Sequence, residues 1–73
     1  MPSISTITFL MPPEKIALFK AIIESYDNLA TLRTENPQLH RLRLYFDADT
    51  RDEVLALFAN LTEPFSITGI EVS

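Results

Sequence analysis

Two hydrophobic periods alternate along this chain, and the order in which they alternate restricts it to very few folds. From Ile4 to Leu10 the residues are rich in Ile, Thr and Phe, and a period of two sets Ile7, Phe9 and Met11 on one side with Thr6 and Thr8 on the other. That predicts a half-buried strand. Pro12-Pro13-Glu14 then opens a helix, because proline is pre-set for the first helical turn and an early acidic residue suits the positive end of the helix dipole. Ile16, Phe19, Ile22, Ile23 and Tyr26 recur at 3.6 residues, which carries the first helix to about Tyr26 and places Tyr26 in the core. Lys20 and Glu24 lie off the stripe at a spacing that allows them to pair.

Asp27-Asn28 supplies a turn, Leu29 to Thr34 reads as a second strand, and Glu35-Asn36-Pro37-Gln38 is a polar loop. Leu39 to Phe46 alternates clearly, with Leu42, Leu44 and Phe46 opposed to Arg41, Arg43 and Tyr45, so these two strands form a hairpin. Thr50-Arg51-Asp52-Glu53 matches the capping box, in which the Thr50 hydroxyl and the Glu53 carboxylate each satisfy the other residue's backbone N–H. Val54, Leu57, Phe58 and Leu61 form the stripe of a second helix, stopped at Thr62-Glu63-Pro64. Phe65 to Val72 closes the series as a strand, with Gly69 a candidate bulge.

The order is βαββαβ. Right-handed crossovers turn it into a ferredoxin-like α+β domain over residues 1–73, a four-stranded antiparallel sheet with both helices on one face. A chain of 73 residues with 47% hydrophobic and 22% charged residues has a globular balance, yet it buries only about 60% of its unfolded surface. With no cysteine there is neither a disulfide nor a Cys-based zinc site to help, which leaves close packing or self-association, and a homodimer is expected. The N-terminal residues lack a basic segment and a small-residue cleavage site, and no apolar run nears the roughly 20 residues of a membrane span. A cytoplasmic protein is expected.

The second sheet face is left open, and one that meets only water should be polar throughout. Pairing Leu32 with Leu42 and Ala30 with Leu44 keeps all four on the helix side. It turns Leu29, Thr31, Arg33, Arg41, Arg43 and Tyr45 outward and sets Arg33 directly across from Arg41. Like charges so placed need a carboxylate, a phosphate or good solvation. All four arginines, Arg33, Arg41, Arg43 and Arg51, fall between positions 33 and 51, so a net charge of −4 conceals a basic patch.

Other chemistries find little footing. A sequence pI of about 4.7 is far from the basic footprint of nucleic-acid binding, and Tyr45 alone provides an outward aromatic on the central strands. His40 is the only histidine and sits at the hairpin loop, which suits a surface role better than a base or ligand role. Asp47, Asp49, Asp52 and Glu53 read as helix-start acids rather than metal ligands, and no nucleophile motif or Gly-rich phosphate loop is present. No enzyme, cofactor or metal is expected.

Glu24-Ser25-Tyr26-Asp27-Asn28-Leu29-Ala30, followed by Leu32-Arg33-Thr34 and preceded by Met11-Pro12-Pro13, resembles the DUF4911 family of short bacterial proteins, a domain of unknown function. The family pattern often carries glycine where this chain has Asn28, and asparagine also tolerates the left-handed conformation. The resemblance implies no activity. It singles out Tyr26, Arg33 and Thr34 as positions of interest. The leading expectation is a homodimerising interaction or regulatory module, with an unknown protein as a possible partner. The alternative is an ACT-like binder of a small anionic ligand at Arg33, Arg41 and Arg43, although Pro12-Pro13 stands where such domains carry a glycine-containing ligand turn.

Overall fold

The computed structural model describes residues 4–27 and 29–73; the expected turn at Asp27-Asn28 therefore lies partly outside the described residues. Strands β1 (Ile4–Leu10), β2 (Thr31–Asn36), β3 (Arg41–Asp47) and β4 (Thr68–Val72) form one antiparallel sheet in the order β2-β3-β1-β4. Helices α1 (Ile16–Glu24) and α2 (Arg51–Thr62) fill the two crossovers, which gives the ferredoxin-like α+β architecture. A short 3₁₀ turn precedes each helix, over Pro13–Lys15 and Ala48–Thr50.

Ile7, Phe9, Leu42, Leu44 and Phe46 from the central strands meet Phe19 and Ile23 of α1 and Val54 and Phe58 of α2 in a single core. Phe19 sits among Phe9, Phe58 and Phe65 with ring centroids 5.4–6.5 Å away, all edge-to-face, the arrangement that aromatic quadrupoles favour. Gly69 has φ +60° and marks a register shift between β4 and β1, so the expected bulge is present.

Five local expectations are corrected. Tyr26 lies beyond the end of α1 and is 47% exposed, because the helix stops at Glu24, where the Ser25 hydroxyl donates to the Ile22 carbonyl at 2.6 Å. The Thr50–Glu53 capping box is absent: the 3₁₀ turn already occupies Thr50, and its hydroxyl lies 3.3 Å from the Leu29 carbonyl and 3.2 Å from that of Asp47. Leu29 is buried rather than outward. Lys20 and Glu24 form no ion pair. The hairpin register is also slipped by two residues, pairing Leu32 with Leu44 and Thr31 with Tyr45.

Candidate functional site

Strand register lays out the open face row by row. Each residue's partners run across the sheet from β4 through β1 and β3 to β2, and side chains at paired positions share a face. One row reads Glu71, Thr8, Arg43, Arg33; the next Thr6, Tyr45, Thr31; and towards the hairpin another runs Thr68, Leu10, Arg41, Asn36. Ile4 and Asp47 close the far end. The face is therefore acidic at its β4 edge and basic along β3 and β2.

The slipped register changes which arginines confront each other. Arg33 stands across from Arg43, not Arg41, and the carboxylate such a pair needs is Glu35, whose Oε1 accepts from Arg43 Nη2 at 2.7 Å. Arg43 Nε donates to the Thr8 hydroxyl at 3.3 Å, so that guanidinium is held at both ends. Among the described residues this is the one ion pair, and Arg33, Arg41, Arg51 and Lys20 have no carboxylate within reach. The Nε of Arg41 is buried without an acceptor.

The candidate residues do not gather at one point. Arg33, Arg41, Arg43 and Tyr45 share the open face, whereas Thr34 pairs with Leu42 and so belongs to the helix-side face, exposed because β2 is the sheet edge. Tyr26, beyond the end of α1, lines neither of two concavities on the surface. One concavity, of about 440 Å³, lies at the far end of the sheet and is lined from both faces, by Ile4, Thr31, Tyr45 and Asp47 on the open side and by Leu29, Ala30 and Phe46 on the helix side. The other, of about 340 Å³, lies between α1 and β2 and is lined by Ile16, Lys20, Leu32, Arg33, Thr34 and Leu42. Lys20 is the residue that sequence reading missed, since its neighbourhood across to β2 is a tertiary fact. Among the described residues, no three of His, Cys, Asp and Glu come together as a metal site would require, and His40 is exposed in the hairpin turn.

The fold and this surface define a small α+β domain, a two-layer unit whose sheet is covered on one side and charged on the other. The chain belongs to the family described as domain of unknown function (DUF4911), whose model matches residues 9–64, from within β1 to just past α2. No curated protein and no solved structure matches it. Among the described residues no helix is long and apolar enough to cross a membrane.

Proposed function

We propose that this domain is a non-catalytic interaction module, working in the cytoplasm, that self-associates through the open face of its sheet. The observation that supports this reading is the row Glu71, Thr8, Arg43, Arg33, acidic at one edge and basic at the other. A two-fold axis parallel to the strands and passing between β1 and β3 lays Arg33 of one copy over Glu71 of the second, and Arg43 over Thr8. Such an isologous contact gives Arg33, the cation of that row that Glu35 leaves without a carboxylate, a partner in each copy. Ile4, 66% exposed, and Tyr45 supply apolar area at the end of the same face.

Four strands about 4.8 Å apart and about 3.3 Å per residue set a flat face of about 440 Å². Two copies then bury about 900 Å², in the range of weak, concentration-dependent association. Light scattering on a dilution series should move from about 8.3 kDa towards twice that mass as concentration rises. Glu71→Arg should hold the protein at the monomer mass, and Glu71→Arg combined with Arg33→Glu should restore the dimer. A wild type that stays monomeric at every concentration, or a charge swap that restores nothing, contradicts the reading.

The second reading, an anionic ligand, draws on Arg41, whose buried Nε lacks an acceptor, and on Arg33. Arg43 is already committed to Glu35 and Thr8.

A further inference from the structure

We propose that the outer edge of β4 takes an extended segment of another protein as a fifth strand, one that sets a basic residue opposite Glu71. β4 is the last strand of the sheet, and all of its residues are exposed. Thr6 and Ser73 exchange both backbone hydrogen bonds, at 3.1 and 2.8 Å. Bonded and non-bonded pairs alternate along an antiparallel ladder, so Glu71 is bonded to Thr8 in the same way, while Val72 turns its N–H and C=O away from β1. The Ile70 C=O, on the other side of the peptide plane from the Glu71 N–H, points outward too. These three groups are a template for a further strand. The side chains at the same positions are apolar, with Ile70 43% and Val72 50% exposed, and Val72 lies on the helix side because it pairs with the buried Ile7. A strand laid beside β4 therefore adds its own apolar residues to the margin of the core.

Charge selects the occupant. Across the outer edge Glu71 occupies a non-bonded position, where facing side chains come closest. A second copy that sets Ile70 against Val72 places Glu71 directly against Glu71, a destabilising pair, in chains that each carry a net charge of −4. The register centred on Ile70 instead brings the Gly69 bulge, with φ +60°, opposite Glu71. A foreign segment reading apolar, basic, apolar meets neither obstacle. The opposite edge of the sheet is blunted, since β2 carries Arg33 and Glu35, a bulge between Thr34 and Asn36, and Pro37 just beyond. This proposal goes beyond self-association and does not rest on it: Arg33 of a second copy approaches Glu71 from above the open face, whereas the added residue lies beside it in the plane of the sheet, and the two oxygens of a carboxylate accept from both.

The probe is the peptide Thr-Val-Lys-Val-Thr, acetylated and amidated, which runs antiparallel to β4 with its lysine opposite Glu71. Titrated at constant ionic strength into the isotope-labelled full chain, at a dilution that keeps the chain monomeric, it should move the amide resonances of residues 68–73 to saturation. Solvent exchange of the Val72 N–H should slow, while that of Glu71, already bonded to Thr8, should change little. N-methylation of either valine, whose N–H faces β4, should abolish binding, and N-methylation of the lysine, whose N–H faces away, should keep it. Glutamate in place of the peptide lysine should weaken binding by about tenfold, and Glu71→Arg should reverse that preference. Position 71 is exposed, so the variant should fold as the wild type does. The proposal fails if no saturable shift appears, if the shifts map to β2, if both kinds of N-methylation act alike, or if Glu71→Arg leaves the preference unchanged. It fails also if the Val72 N–H becomes protected as the peptide-free protein is concentrated, since the occupant is then a second copy. Arg33→Glu separates the two readings: it should abolish self-association and keep peptide binding.

Discussion

Replacing Glu35 with Gln removes the carboxylate that accepts from Arg43 Nη2 at 2.7 Å and leaves Arg33 and Arg43 directly opposed on neighbouring strands. Two effects add. The lost ion pair has side chains 36% and 35% exposed, so solvent screening keeps its contribution near the usual surface value of about 0.2–1 kcal/mol. The like-charge cross-strand pair, no longer neutralised, costs about 0.2–1 kcal/mol more. The expected loss is about 1 kcal/mol. In a domain of this length that lowers the melting temperature by about 4–8 °C. Thermal melts at fixed protein concentration, in chloride buffer, measure it. Because the Debye length falls to about 3 Å in 1 M salt, most of the loss should vanish there. The second arm is a double-mutant cycle at a dilution that keeps the chain monomeric: there Arg33→Thr should change the wild type little but recover about half the loss in the Glu35→Gln background. A Glu35→Gln protein that melts with the wild type, or a loss that Arg33→Thr does not reduce, refutes the electrostatic reasoning about this face.

Three further outcomes follow from the packing. Phe19→Ala empties the centre of the aromatic cluster and should cost about 3–5 kcal/mol, which lowers the melting temperature by at least about 12 °C, whereas Phe19→Leu should lose clearly less. Thr50→Val should cost about 1 kcal/mol in urea unfolding because the hydroxyl that reaches the Leu29 and Asp47 carbonyls is lost, whereas Glu53→Gln should lie within about 0.5 kcal/mol of wild type. Gly69→Ala should destabilise by about 1–2 kcal/mol, since φ is +60° and the new Cβ meets Leu10 Cδ1 at 3.2 Å, and Gly69→Asn should cost less.

The places where sequence and structure part company share a physical cause. Periodicity reports which face a residue lies on, and it placed Leu42, Leu44, Phe46, Phe19, Val54 and Phe58 in the core, where they are. A two-residue slip of the hairpin preserves every face, so the hydrophobic pattern could not choose between Leu32–Leu42 and Leu32–Leu44. The turn chooses. Asn36 Oδ1 accepts from the N–H groups of Gln38 and Leu39, His40 takes φ +55°, and a bulge falls between Thr34 and Asn36. The Asn36-Pro37 pair was the visible signal of that turn, but its conformation was not. Tyr26 differs for another reason: it continues the apolar stripe by spacing, but the helix stops two residues before it, at Glu24. At the candidate site, the outward row of Arg41, Arg43 and Tyr45 was legible from alternation alone. That Glu35 takes Arg43, and that Lys20 borders the same groove as Arg33, depends on side chains that only the folded chain brings together.

Contact between the open sheet faces of two copies is tested by amide resonances followed through a protein dilution series. Concentration-dependent shifts are expected at Thr6, Thr8, Arg33, Arg43, Tyr45 and Glu71, with the amides of α1 and α2 unmoved. Resonances that do not change with concentration, or changes confined to the helices, contradict it.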